Sequence, residues 1–234
     1  MRSPNTTIDG LDWTTITTQL HAEGYAMLPG LLGAEVARGL AQHSVAVKTV
    51  RVPLASSDLG RGELLYFGGR LPALLEAWRT TLYRHLVAIA NHWNEALGVD
   101  GRYPAQLDAF LQRNRKAGQT RAQSYLSRLG VEDYVSLHQR NDSEQVFPMQ
   151  IVALLSEPGA DFDGGEFVMT EQRPRMQSRP MVLPLKFGDA AIITTAERPF
   201  KGTKGHYRVN LKHAISRVRK GERIGLELSF HDAS

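Results

Sequence analysis

Apolar residues recur at helical spacing through the first half of the chain and at alternate positions through the second. Residues 11–22 and 33–48 predict two short amphipathic helices, the second carried by the segment LLGAEVARGLAQH. Between them YAMLPGLL reads as a strand that stops at Pro29-Gly30. The strongest helical signal runs from Leu71 to Leu97, where Leu74, Leu75, Trp78, Leu82, Leu86, Ile89, Ala90 and Trp93 fall on one stripe. Tyr103 to Ala117, with Pro104 near its start, predicts one more. Each helix has one apolar face and needs something to cover it.

Beyond about residue 121 the period shortens toward two. DYVSLH, FPMQIVALLSE, GEFVMTEQ, PMVLPLKFG, DAAIITTAE, YRVNLKHAISRV and RIGLELSFHD are short runs punctuated by Pro-Gly, Asp-Gly-Gly, Gly-Asp and Lys-Gly-Glu. Strands at this spacing, with no helices between them, predict an antiparallel sandwich or jelly roll. The expected fold is therefore α+β, such a cupin-like β core braced by N-terminal helices. One domain of residues 1–234 accommodates it, with 1–120 a mainly helical support and 121–234 the core.

Composition narrows the chemistry. The 234 residues are 42% hydrophobic and contain no cysteine, which is enough for one sizeable core and leaves disulfides and thiolate chemistry aside. A metal would have to rest on His, Asp and Glu, which suits iron(II). No apolar run approaches the roughly 20 residues of a membrane span, and MRSPNTTIDGLDW lacks the apolar middle of a secretory signal. No membrane association and a cytoplasmic location are the expectation. The net charge is only +4, yet thirteen lysines and arginines fall between Arg173 and Arg223. Such a basic third suits an anionic partner if it faces a site, and is a solvated surface if it does not.

His138 opens a polar turn, His213 follows 75 positions later and Arg223 ten beyond that. Two neutral imidazoles can hold iron(II) while leaving positions open for gas and co-substrate. A guanidinium presents a rigid fork that grips a carboxylate in two parallel hydrogen bonds, as the far end of 2-oxoglutarate requires. On a jelly roll the three can meet at the open mouth. Gln150 and Tyr134 fall on strands beside that mouth, as hydrogen-bond partners for 2-oxoglutarate or as ordinary barrel lining. Asp163-Gly164-Gly165 reads as a structural turn, and His206 and His231 are not expected to bind metal. Arg173, Arg175 and Arg179 fit local ion pairs better than substrate contacts.

GRGELLYFGGRLPALLEAWRTTLY, IANHWNEALG, LDAFLQRNRKAGQTR, VFPMQIVALLSEPGADFDGGEFVMTEQRPRMQSRP and GTKGHYRVNLKHAISRVRKGERIGLELSFHDA resemble the bacterial iron(II)/2-oxoglutarate oxygenases. These have a prolyl-hydroxylase-like double-stranded β-helix, and the family's description mentions oxidative repair of alkylated DNA. The resemblance covers nearly the whole chain. It implies His138 and His213 as iron ligands, Arg223 as the 2-oxoglutarate anchor and oxidation of a substrate C–H bond.

Two positions depart from the family pattern. Its His-Gln-Asp reads His138-Gln139-Arg140, so the carboxylate of a 2-His-1-carboxylate site is missing, and its Arg-Tyr pair reads Arg128-Leu129. A cation beside a dication is strongly unfavourable, so Arg140 must turn away, meet an anion, or mark a centre without metal. Three outcomes stay open. Asp142 supplies the carboxylate, although on a continuing strand it would lie roughly 13 Å from His138 and only a turn would bring it close. Alternatively the position takes water or halide, as in related halogenases, or the chain is an inactive member that binds an anionic ligand. The expected substrate is a small anionic molecule, nucleotide- or nucleoside-like. Duplex nucleic acid fits less well, because no stretch reads as a base-flipping wedge.

Overall fold

The structure, a computed structural model, describes residues 4–46, 49–68 and 71–234. Helices α1 (Pro4–Asp9), α2 (Trp13–Glu23), α3 (Gly33–Ala46), α4 (Ala73–Ala96) and α5 (Leu107–Lys116) precede most of the strands. Strands β1 (Tyr25–Leu28), β2 (Thr49–Pro53), β3 (Gly60–Arg61) and β4 (Glu63–Phe67) are interleaved with them. The remaining strands are β5 (Tyr125–Leu129), β6 (Tyr134–His138), β7 (Met149–Leu154), β8 (Phe162–Gly164), β9 (Phe167–Gln172), β10 (Arg179–Leu183), β11 (Ala190–Thr194), β12 (Glu197–Gly202), β13 (Gly205–Ile215), β14 (Val218–Gly221) and β15 (Arg223–Ser229).

They form a double-stranded β-helix. The larger sheet runs β1-β11-β7-β15-β5-β4-β2, and the smaller β10-β9-β13-β6-β3 with β12 paired to β13. The named pairings are antiparallel. One hydrophobic core fills the space between the helices and the outer face of the larger sheet. The other lies between the sheets, and the candidate site opens within it.

Alternation on β15 decides which core each residue joins. Leu226 and Leu228 pack outward with the helices, so Arg223, Gly225, Glu227 and Ser229 face the interior. On α4 the stripe from Leu75 to Trp93 is buried as its spacing predicts, and Tyr83, Phe110, Phe147 and Phe230 stack where α4, α5 and the larger sheet meet. A further clasp fixes α2. Arg198 is fully buried; it donates to the carbonyls of His21 (2.7 Å) and Ala22 (2.8 Å) and pairs with the Glu171 carboxylate.

Residues 1–120 carry α1–α5 together with strands that join the sheets, β1, β2 and β4 the larger and β3 the smaller. The pieces β2, β3 and β4 are short and broken by Pro53, Gly60 and Gly62, too brief to set up a visible period of two. The helix expected over 103–117 starts at Leu107, because Pro104 and Ala105 lie in the non-helical stretch before it. The helix expected over 33–48 is seen from Gly33 to Ala46, and residues 47–48 lie outside the described residues. Helix α1 was not anticipated.

Candidate active site

His138 ends β6 and His213 lies on β13 directly opposite, with ring centroids 4.2 Å apart. A β-bulge makes this possible. His213 and Ile215 are two residues apart, whereas their partners His138 and Val135 are three apart, so β6 carries one extra residue. In a regular strand Val135 and His138 would face opposite ways; the extra residue turns both inward. It also sends Tyr134 outward, where the side chain is exposed. Tyr134, expected as a 2-oxoglutarate partner or as barrel lining, is therefore exposed rather than inside the barrel.

His138 Nδ1 lies 2.9 Å from the Ser136 carbonyl, to which it donates, leaving Nε2 as a lone pair buried without a hydrogen-bond partner among the described residues. Burial, helped by the neighbouring His213, lowers the His138 pKa to about 4, so the ring is neutral at physiological pH. His213 is buried, its ring stacked against Phe167. These are the properties of imidazoles prepared to bind a metal.

The carboxylate beside them is one the sequence reading had passed over. Glu227 Oε2 lies 3.8 Å from His213 Nε2 and 4.0 Å from Arg140 Nε. Gln150 donates to Glu227 over 3.2 Å, and the same amide nitrogen is 3.3 Å from His213 Nε2. Burial alone would raise the Glu227 pKa, but His213, Arg140 and His138 outweigh it and hold the carboxylate ionised. Arg140 turns into the barrel, donates to the Tyr125 hydroxyl and lies over that ring at 4.9 Å. Burial opposes its charge, while Tyr125 and Glu227 raise its pKa above the ordinary value. Arg140 thus meets an anion, and the anion is Glu227.

Arg223 occupies the other end of the same row on β15. It is buried, Nε donates to the Gly165 carbonyl at 2.8 Å, and Nη1 has no partner among the described residues. Two glycines make room for it. A Cβ on Gly165, whose φ is +62°, would stand 2.8 Å from Arg223 Cδ; one on Gly225 would stand 2.8 Å from Nη1. Burial lowers the Arg223 pKa to about 10, with Glu227 and Glu166 pulling it back up, so the guanidinium stays charged. A buried cation with an unused donor fits the distal carboxylate of a keto acid.

His138 and Arg140 reach the wall of a cleft of about 800 Å³. Val52, Leu59, Tyr66 and Phe67 give it an apolar and aromatic side; Arg79, Arg121 and Arg140 face Glu76, Asp142 and Asp232 across the rest. Asp142 is exposed and lines the same cleft as His138, and among the described residues no group of three His, Cys, Asp or Glu side chains that includes it forms a metal cage. His231 is buried elsewhere and accepts from the Phe147 amide, and His206 sits on the β12–β13 hairpin. Of the basic third, Arg173, Arg179, Arg198, Arg208 and Arg217 are in ion pairs, and none of its thirteen cations lines this cleft.

Among the described residues no three His, Cys, Asp or Glu side chains form a ready-made metal cage; His138, His213 and Glu227 converge without closing one. The donor set still fits a non-heme iron(II) ion, being two imidazoles and one carboxylate around the buried His138 lone pair.

Fold and site together define an oxygenase of the double-stranded β-helix class. The chain belongs to the family called Oxygenase-NA, whose model is described as "Oxygenase, catalysing oxidative methylation of damaged DNA" and matches residues 62–233. Two uncharacterised Mycobacterium tuberculosis proteins, from strains CDC 1551 and H37Rv, are each 39% identical over 164 residues, which is 70% of this chain and 70% of theirs. Among solved structures, a Pseudomonas putida prolyl-4-hydroxylase is similar with a TM-score of 0.56 at 13% identity, over 95% of this chain and all of that one. A Burkholderia pseudomallei oxidoreductase of the 2OG-Fe(II) oxygenase family is similar with a TM-score of 0.54 at 16% identity, over 96% and 93% of the two chains. At these identities the solved structures speak for the fold.

Proposed function

We propose that the chain is an iron(II)- and 2-oxoglutarate-dependent oxygenase acting on a C–H bond of a small anionic molecule of nucleoside or nucleotide size. The observation that carries this is the buried, neutral His138 with its free Nε2 facing His213, on the same interior as the unpaired Nη1 of Arg223. His138 and His213 would hold iron(II), and Arg223 would grip the distal carboxylate of 2-oxoglutarate. Iron(II) and 2-oxoglutarate, when bound there, would supply the electrons that activate oxygen. The protein's share is to hold both groups in place, keep the His138 imidazole unprotonated, and exclude water with the apolar residues between the sheets.

The substrate reading rests on the cleft. Its volume of about 800 Å³ suits a nucleotide-sized ligand, Tyr66 and Phe67 offer faces for a ring, and Arg121 and the partly engaged Arg79 offer donors for an anionic group. The family description, which concerns damaged DNA, favours a substrate bearing a base. The test is anaerobic titration of metal-free protein with iron(II) and 2-oxoglutarate. A one-to-one complex with its weak visible charge-transfer band, lost in His138→Ala and in Arg223→Met, is the expected result. A protein that binds 2-oxoglutarate equally well with and without iron would instead be a metal-free binding protein, the reading favoured by the buried Arg140–Glu227 pair.

A further inference from the structure

Resting on that iron reading, we propose that Glu227, from the opposite sheet, supplies the metal carboxylate that β6 lacks, with Arg140 as its ion-pair partner. The barrel interior is a costly place for an acidic side chain, and Glu227 is nonetheless buried there beside Arg140 and His213. Its carboxylate is already 3.8 Å from His213 Nε2 and is oriented by the Gln150 amide at 3.2 Å. Among the described residues, Glu227 is the carboxylate that lies against a site histidine, whereas Asp142 lies exposed on the cleft wall.

The two unusual residues explain each other. An arginine at position 140 puts a permanent cation where the related enzymes have an aspartate, and a dication could not be held beside it unless a second anion stood between them. The same Glu227 oxygen, Oε2, lies 4.0 Å from Arg140 Nε and 3.8 Å from His213 Nε2. Arg140 is in turn held by the Tyr125 hydroxyl and lies over that ring. The carboxylate has crossed the barrel, and Arg140 orients and neutralises it as outer partners of metal ligands do.

The test is cobalt(II) binding, measured anaerobically by calorimetry and by the visible d–d spectrum, so that the readout does not depend on turnover. The unaltered protein is compared with His138→Ala, Arg140→Gln, Arg140→Gln/Glu227→Gln and Arg140→Asp/Glu227→Gln, each checked for native circular dichroism. Arg140→Gln should retain cobalt, while adding Glu227→Gln should weaken it by about tenfold or more and shift the d–d band. Removing both charges together avoids stranding either one. Arg140→Asp/Glu227→Gln returns the carboxylate to β6 and should restore binding. Equal affinity and spectra with and without Glu227 in the Arg140→Gln background, with binding still lost in His138→Ala, would overturn the assignment and leave a two-histidine site standing. No cobalt bound by the unaltered protein would overturn the iron reading and the assignment together.

Discussion

Arg223 and Glu227 face the same interior from one strand, and the glycine between them, Gly225, lets the Arg223 guanidinium lie across it. The added methyl of Gly225→Ala would stand 2.8 Å from Arg223 Nη1 and 3.0 Å from Ser127 Oγ, so the guanidinium must shift. The expected outcome is a 2-oxoglutarate dissociation constant raised about tenfold, equivalent to roughly 1.4 kcal/mol, with metal affinity unaltered. Calorimetry of both ligands checks it, and unaltered 2-oxoglutarate affinity would show that the space above Gly225 is not used.

The Arg198–Glu171 pair is sealed from solvent and ties the end of α2 to the smaller sheet. Arg198→Met or Glu171→Gln leaves the other charge buried, though Arg173 and Arg179 partly compensate Glu171. Arg198→Met should therefore cost about 3–5 kcal/mol and Glu171→Gln a similar amount, whereas Arg198→Met/Glu171→Leu should cost less than the sum. Urea unfolding followed by circular dichroism decides.

Acid should destabilise the protein partly through His231. Its Nδ1 accepts the Phe147 amide at 3.3 Å and must stay unprotonated to do so. Burial first, then the charge of Arg79, lowers its pKa from 6.5 to about 4. The unfolded chain therefore takes up the proton first. This contribution is complete above pH 6.5 and fades as pH falls toward 4, amounting to roughly 3 kcal/mol. In His231→Asn, which keeps an acceptor, the loss of stability between pH 6.5 and 4 should be shallower by that amount; an identical slope would contradict the assignment.

Asp142→Asn should leave cobalt affinity within about twofold of the unaltered protein, because the side chain is exposed to solvent. A loss as large as that of His138→Ala would mean that the 141–148 segment folds back over the metal.

Much of this was legible in the chain. The stripe on α4 was visible because 24 residues repeat one period, and His138, His213 and Arg223 because their types and spacing carry chemistry. The outward direction of Tyr134 was not legible, because it depends on a single extra residue in β6 that reverses parity and leaves no mark in composition. Glu227 was missed for a different reason. Glu227 is far from His138 along the chain, although the alternation that turns Arg223 inward turns Glu227 inward as well. A buried acid in RIGLELS was the available signal.

The histidines belong to the smaller sheet, whereas Glu227, Gln150 and Arg223 belong to the larger. A metal held by His138, His213 and Glu227 would therefore rivet the two walls of the barrel rather than decorate one of them. Its arrival should be felt mechanically. Backbone amides of β7, β13 and β15 should exchange with deuterium more slowly, and the melting temperature should climb with metal concentration as it does for any ligand that binds only the folded state.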